Sequence, residues 1–318
     1  MNGLELVTIG RVSVDLYAEQ LGVPFAGVRS FAKSIGGSPT NVAVAAARLG
    51  RRSAVITAVG DEPFGGYVRQ KLEGFGVDTR FVGTHPFLRT PLAFAAMDPP
   101  EEPQLLFYRE PSAPDEHVEL TEGLLAAARE ADVFWAAGSC LSGDETGPTT
   151  EALLSARGRR AHTVLDLDYR PTFWPDEASA THAIGAALDH ATIAVGNRRE
   201  CEVAVGTADP DAAADALLAR GVELAVVKQG ADGVLVASAE GRTLVPPVPV
   251  DVVCALGAGD GFGGALCHGL LSGWNAVEAV RFANAAGALV ASRLLCADAM
   301  PTAGEVASLL EESGARAR

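Results

Sequence analysis

Short β-branched runs alternate along this chain with longer amphipathic stretches. "LELVTIG" (4–10) precedes "TNVAVAAARLG" (40–50), "SAVITAVG" (53–60) precedes "FGGYVRQKLEGFG" (64–76), and the second half adds "HTVLDLD" (162–168), "TIAVGN" (192–197), "LAVVKQG" (224–230) and "GVLVAS" (233–238). Nearly continuous apolar strands alternating with helical periods predict an α/β fold, a mainly parallel sheet covered by helices on both faces. Ligands of such sheets bind beyond the carboxyl ends of the strands. Gly10, Gly60, Asp61, Asp166, Asp168, Asn197 and Gly230, which end the runs, are therefore site candidates as a group. Residues 11–33 and 85–113 break the alternation, with period-2 patterning, prolines and no helical period. They predict strands of a small separate sheet set as a lid on the core. With no repeat, low-complexity tract or flexible linker, residues 1–318 are expected to be one domain carrying this lid.

Composition narrows the class of protein. A chain with 48% hydrophobic and 20% charged residues is globular, and no apolar run reaches the ~18 residues of a bilayer span. The N-terminal "MNGLELVTIG" reads as a first strand rather than a signal peptide, so a cytoplasmic location is expected. A net charge of −15 argues against nucleic acid and membrane as partners, and requires a local basic pocket for any anionic substrate. Cys140, Cys201, Cys254, Cys267 and Cys296 are scattered without a C-x-x-C pair, which disfavours a disulfide framework and a thiolate zinc site.

The densest candidate chemistry is "CALGAGDGF" (254–262), an acid among glycines where an apolar helix begins. Gly259, Gly261 and Gly264 satisfy G-x-G-x-x-G after a strand-like "VPVDVVC" (248–254). A dinucleotide site, however, needs a following strand that ends in an acid, and here the helical "AVEAVRFANAAGALVASRLL" (276–295) follows. None of the three lysines, Lys33, Lys71 and Lys228, stands in a phosphate-loop frame. The amides of Gly257, Ala258 and Gly259 at a helix N-terminus suit an anion, and Asp260 beside them suits proton removal from an attacking hydroxyl. Positioning and charge stabilisation are most of what phosphoryl transfer requires.

These residues resemble the ribokinase-like, or PfkB-type, carbohydrate kinases, whose C-terminal signature runs roughly D-T-T-G-A-G-D-x-F. Gly257, Ala258, Gly259 and Asp260 match, while Cys254, Ala255 and Leu256 replace the portion linked to a monovalent cation and leave potassium dependence open. Gly261 stands where alanine is usual. The family's second signature is present as "GGSPTNVAVAAARLG" (36–50). The resemblance implies a three-layer α/β/α core with a β-sheet lid. It also implies ATP as phosphoryl donor, Asp260 as base, and Asp15, Gly36, Gly37 and Asn41 at the sugar. Asn197 and Glu200 of "NRRE" would organise magnesium through water, and Lys228, Gly230, Gly233 and Asn284 would contact the nucleotide. Homodimers through the lid strands are a further implication.

Within the family, "GRVSVDLY", "SFAKSIGGSPTNVA", "FYRE", "LDLDYRPTFW" and "ANAAGALVASRLLCADAMPT" resemble the 5-dehydro-2-deoxygluconokinases of inositol catabolism. Ser112 and Ala113 are closer to the 2-dehydro-3-deoxygluconokinase pattern. Both imply a keto-deoxy sugar acid phosphorylated at a primary hydroxyl; ribokinase and fructokinase types are alternatives. Lys33 and Arg109 are the candidates for the substrate carboxylate, with Asp168 and Arg170 also at the substrate and Arg11 in reserve. Arg170 paired structurally with Asp166 or Asp168 is an equal reading. A sugar or nucleotide sensor without transfer activity is the alternative of a different class.

Overall fold

The computed structural model describes residues 3–316. In chain order its first half contains β1 (Leu6–Ile9), β2 (Ser13–Ala18), β3 (Phe31–Gly36), α1 (Ser38–Arg48), β4 (Ser53–Gly60), α2 (Pro63–Phe75), β5 (Val82–His85), β6 (Leu92–Ala96), β7 (Gln104–Tyr108), α3 (Glu122–Glu130), β8 (Val133–Ala137) and α4 (Thr146–Arg157). The second half adds β9 (Thr163–Asp166), α5 (Glu177–Leu188), β10 (Ile193–Asn197), α6 (Arg198–Val205), α7 (Pro210–Ala219), β11 (Leu224–Lys228), β12 (Val234–Ser238), β13 (Gly241–Val245), α8 (Ala258–Leu271), α9 (Ala276–Ala291) and α10 (Ala303–Arg316).

Nine strands form the large sheet in the order β13-β12-β11-β10-β9-β8-β1-β4-β5. From β11 to β5 every pairing is parallel. One face buries Leu124, Leu153, Ile184, Ala204 and Leu217 from α3 to α7. The other buries Val42, Phe262, Ala283 and Val306 from α1, α8, α9 and α10. The expected α/β/α sandwich is therefore present. The sequence reading does not anticipate the antiparallel edge formed by β12 and β13. Only residues 229–233 separate β11 from β12, which is too short for a parallel crossover. "VPVDVVC" (248–254) forms no strand: Pro247 and Pro249 lack the N–H that a ladder needs.

A second, four-stranded sheet runs β3-β2-β6-β7. It starts later in the second of the two segments than the alternation suggests, because His85 ends β5 and pairs with Gly60 in the large sheet. In the first segment it continues past residue 33 to Gly36, which pairs with Ser13.

The glycines of α8 are packing residues as well as turn formers. A methyl group on Gly264 would stand 2.4 Å from the Ala45 Cβ of α1, and one on Gly261 would stand 2.7 Å from Val290 Cγ2 of α9. Close helix approach thus accounts for the glycine in place of the usual alanine at 261, despite the cost of about 1 kcal/mol in helix propensity.

Candidate active site

The carboxyl ends of β1, β9, β10 and β11 converge with the N-terminus of α8. Gly257 opens this helix in the left-handed region, at φ 79°, and Asp260 lies in its first turn. Among the described residues the amides of Gly257, Gly259 and Asp260 have no backbone acceptor, whereas the Ala258 N–H turns inward to the Ala255 carbonyl at 3.3 Å. The anion cradle expected at 257–259 is corrected accordingly: its free donors are those of residues 257, 259 and 260. Such donors at a helix N-terminus favour negative charge.

The two glycine-rich signatures meet here. Asn41 Nδ2 donates to Asp260 Oδ2 at 2.8 Å across 219 residues of sequence, and Asn41 Oδ1 is buried without a hydrogen-bond donor. Burial raises the Asp260 carboxyl above its ordinary range, opposed by hydrogen bonds from Asn41 and Ser38. Asp15, on β2, accepts from Ser13 Oγ at 2.5 Å and Tyr17 Oη at 3.1 Å, and burial lifts its carboxyl to about 6. Gly37 caps α1 at φ 97°, where an added Cβ would stand 2.2 Å from the Arg11 carbonyl oxygen, so only glycine fits that turn.

Next to this centre is a buried charge network. Arg11 Nη2 donates to Asp168 Oδ2 at 3.0 Å, and Arg170 Nη2 lies 3.1 Å from Asp168 Oδ1. Ser139 Oγ donates to the same carboxylate. Burial would raise Asp168, but Arg170, Arg11 and Ser139 hold it well below the usual carboxylate range. The structural pairing of Arg170 with Asp168 is the one of the two readings that the geometry displays. Ser139 joins this network without having been a candidate from sequence; a lone serine after an apolar strand carries no signal of its own.

Asn197 and Glu200 form a reciprocal cap on α6. Glu200 N–H donates to Asn197 Oδ1 at 2.9 Å, and Asn197 N–H donates to Glu200 Oε2 at 2.6 Å. Glu200 Oε1 faces Arg170 at 3.9 Å. The cap leaves this pair one carboxylate oxygen directed at the site, which suits contact with a hydrated cation better than direct ligation. Among the described residues no group of three or more His, Cys, Asp or Glu side chains is arranged to hold a metal. Lys228 ends β11 with Gly230 and Gly233 in the turn that follows, and Asn284 on α9 donates to the Pro246 carbonyl at 3.0 Å.

Lys33 and Arg109 are not placed as free cations beside Asp15. Lys33 pairs with Leu16 in the register of β2 and β3 while Asp15 pairs with Ser34, so the alternation of side chains puts Lys33 on the opposite face. Its Nζ lies 3.9 Å from the Tyr67 ring centroid, a cation–π contact on α2. Arg109 donates through Nη2 to Asp115 at 2.8 Å and Glu116 at 2.9 Å. Its charge is thus matched within the chain by two carboxylates, and its side chain is 9% exposed. Arg109 and Arg11 stand 4.9 and 4.7 Å from the centroid of the Phe173 ring, and Arg109 and Phe173 line a cavity of about 480 Å³ together with Phe107, Ser112 and Thr172.

A pfkB family carbohydrate kinase profile matches residues 4–303. A 5-dehydro-2-deoxygluconokinase of Shouchella clausii is 32% identical, with 97% of this chain and 96% of that protein covered. One from Photobacterium profundum is 34% identical over 94% and 92% of the two chains. Among solved structures, fructokinase of Xylella fastidiosa with bound ATP is 25% identical, with a TM-score of 0.83 and 98% and 99% coverage. The fold also matches a ribokinase II from E. coli, at a TM-score of 0.87, 24% identity, and 97% and 99% coverage. The chain belongs to the pfkB family of carbohydrate kinases. It is a sugar kinase of the ribokinase-like fold.

Proposed function

We propose that this kinase transfers the γ-phosphoryl group of ATP to a primary hydroxyl of a keto-deoxy sugar acid, 5-dehydro-2-deoxygluconate, with 2-dehydro-3-deoxygluconate as the alternative. The observation that carries the transfer step is the Asn41–Asp260 hydrogen bond at the α8 N-terminus, which sets a carboxylate beside unpartnered amides. Asp260 takes the proton of the sugar hydroxyl, and the amides of Gly257, Gly259 and Asp260 stabilise charge on the phosphoryl oxygens. Asp15 and the free Oδ1 of Asn41 orient sugar hydroxyls. Magnesium would meet Asn197 and Glu200 through water and offset phosphate charge. Lys228, Gly230, Gly233 and Asn284 flank the nucleotide.

For the carboxylate, Arg170 is the leading cation: it is paired with Asp168 as Arg109 is with Asp115 and Glu116, but its side chain is 42% exposed against 9% for Arg109. The sheet formed by β2, β3, β6 and β7 is the lid, and excludes water on closing. Its outer face carries Phe94 against Phe31 and Tyr108, and is the surface for a homodimer. A cytoplasmic setting accords with a sugar kinase in which no described helix is long and apolar enough to cross a membrane.

Release of ADP over a panel of 5-dehydro-2-deoxygluconate, 2-dehydro-3-deoxygluconate, ribose, fructose and nucleosides tests the substrate. The two sugar acids are expected to give the highest kcat/KM. Preference for a neutral sugar or nucleoside would remove the carboxylate reading. The potassium question is decided by the same assay. Cys254 is buried with Tyr17, Met97 and Cys296, and the Ala291 carbonyl already accepts from Val253 and Cys254. A thiol, a methyl and an isobutyl group at 254–256 supply no hard oxygen donor. Replacing potassium by choline is expected to leave turnover unchanged; strong stimulation by potassium would refute this.

A further inference from the structure

Asp166 ends β9 with 5% of its surface exposed, and its Oδ1 has no hydrogen-bond donor. The cation nearest that oxygen is Lys228, with Nζ 3.9 Å away. The pairing follows from topology: β10 lies between β9 and β11, with Val195 opposite Asp166 and Asn197 opposite Lys228. Both side chains therefore reach over the end of the central strand. On its other side Lys228 Nζ lies 3.5 Å from the position a Gly259 Cβ would take, so the ammonium stands between the orphaned carboxylate oxygen and the amide cradle of α8. Burial lifts the Asp166 carboxyl to about 8, opposed first by Lys228, and would lower the Lys228 ammonium, which Asp166, then Glu200, Asp260 and Asp168, keep above its usual range.

A lysine ends in a mobile point charge on a four-carbon stem, and needs an external contact to hold one position. A buried carboxylate oxygen without a donor is costly to keep, and a paired cation is the usual compensation. We propose that Asp166 is a positioning residue for phosphoryl transfer: it seats the Lys228 ammonium over the N-terminus of α8, where the lysine meets the nucleotide phosphates. Asp166 itself touches neither ATP nor the sugar. The inference rests on the reading of the protein as an ATP-dependent kinase.

The test compares wild type with Asp166→Asn, Asp166→Ala, Lys228→Met and Asp166→Asn/Lys228→Met, using steady-state kinetics, calorimetric titration with a non-hydrolysable ATP analogue, and thermal melting. Lys228→Met is expected to lower kcat about 100-fold, as loss of one preorganised charge donor does. Above pH 8, where the wild-type Asp166 carboxyl is ionised, Asp166→Asn is expected to lower kcat about tenfold and weaken the analogue about tenfold, with the KM for sugar unchanged, because only the position of the lysine is lost. The double variant is expected to be no worse than Lys228→Met, since both changes remove one interaction. Asp166→Asn with wild-type kcat and analogue affinity would overturn the proposal, and so would losses that multiply in the double variant. Loss of the cooperative melt in both Asp166 variants would assign the residue to stability instead. If the wild type transfers phosphate to no acceptor, the kinase reading falls, while analogue affinity still decides the positioning role.

Discussion

Asp260→Asn is expected to lower turnover at least ~100-fold while leaving ATP and sugar affinity near their wild-type values, the usual consequence of removing a general base. Asparagine keeps the size of the side chain and an oxygen to accept the 2.8 Å hydrogen bond from Asn41 Nδ2, so α1 and α8 stay in contact. What disappears is the ability to bind the proton of the sugar hydroxyl. Burial raises the Asp260 carboxyl above the ordinary carboxylate range, and the base works only when deprotonated. The wild-type rate is therefore lost as pH falls through this raised value, and the acid limb of kcat lies above that of a solvent-exposed aspartate. The residual rate of the variant should lack this limb. Measuring kcat against pH, with calorimetric titration of both ligands, separates the outcomes: near-normal turnover, or an unchanged acid limb in the variant, would remove Asp260 from the role.

What the sequence discloses depends on how local the physics is. The α8 cradle is legible because acid, glycines and helix start lie within one turn, and a helix N-terminus fixes where its amides point. The alternation of strands and helices predicts the parallel sheet for the same reason, since each run carries its own period. Lys33 is misplaced because strand parity depends on register, and the pairing of Leu16 with Lys33 belongs to two chain segments rather than one. Arg109 has a similar history. Its acids, Asp115 and Glu116, lie only six and seven residues away, but the chain must turn after β7 for them to reach its guanidinium. The role of Gly261 against Val290 is invisible before α8 and α9 are docked.

Gly36→Ala is expected to disable the sugar end of the site while sparing the nucleotide end. A Cβ at this position would lie 2.0 Å from Asp15 Oδ2 and 2.2 Å from Asp15 Cγ, inside any permissible contact. Asp15 cannot yield without cost, because Ser13 and Tyr17 both donate to its carboxylate and β2 is paired on both sides, with β3 and β6. Either the carboxylate swings out of place or the two strands separate. A displacement of about 1 Å in a positioning group is worth on the order of 100-fold, so kcat/KM for the sugar is expected to fall by about that factor. Overpacking of this kind costs roughly 1–3 kcal/mol, a small shift in melting temperature for a chain of this size. Lys228, Gly230 and Gly233 stand on β11 and the turn beyond it, in the large sheet, so ATP affinity should be retained. The discriminating measurement is the KM for sugar beside the dissociation constant for ATP: an unchanged sugar KM would show that Asp15 does not hold the substrate, and parallel loss of both would point to global unfolding.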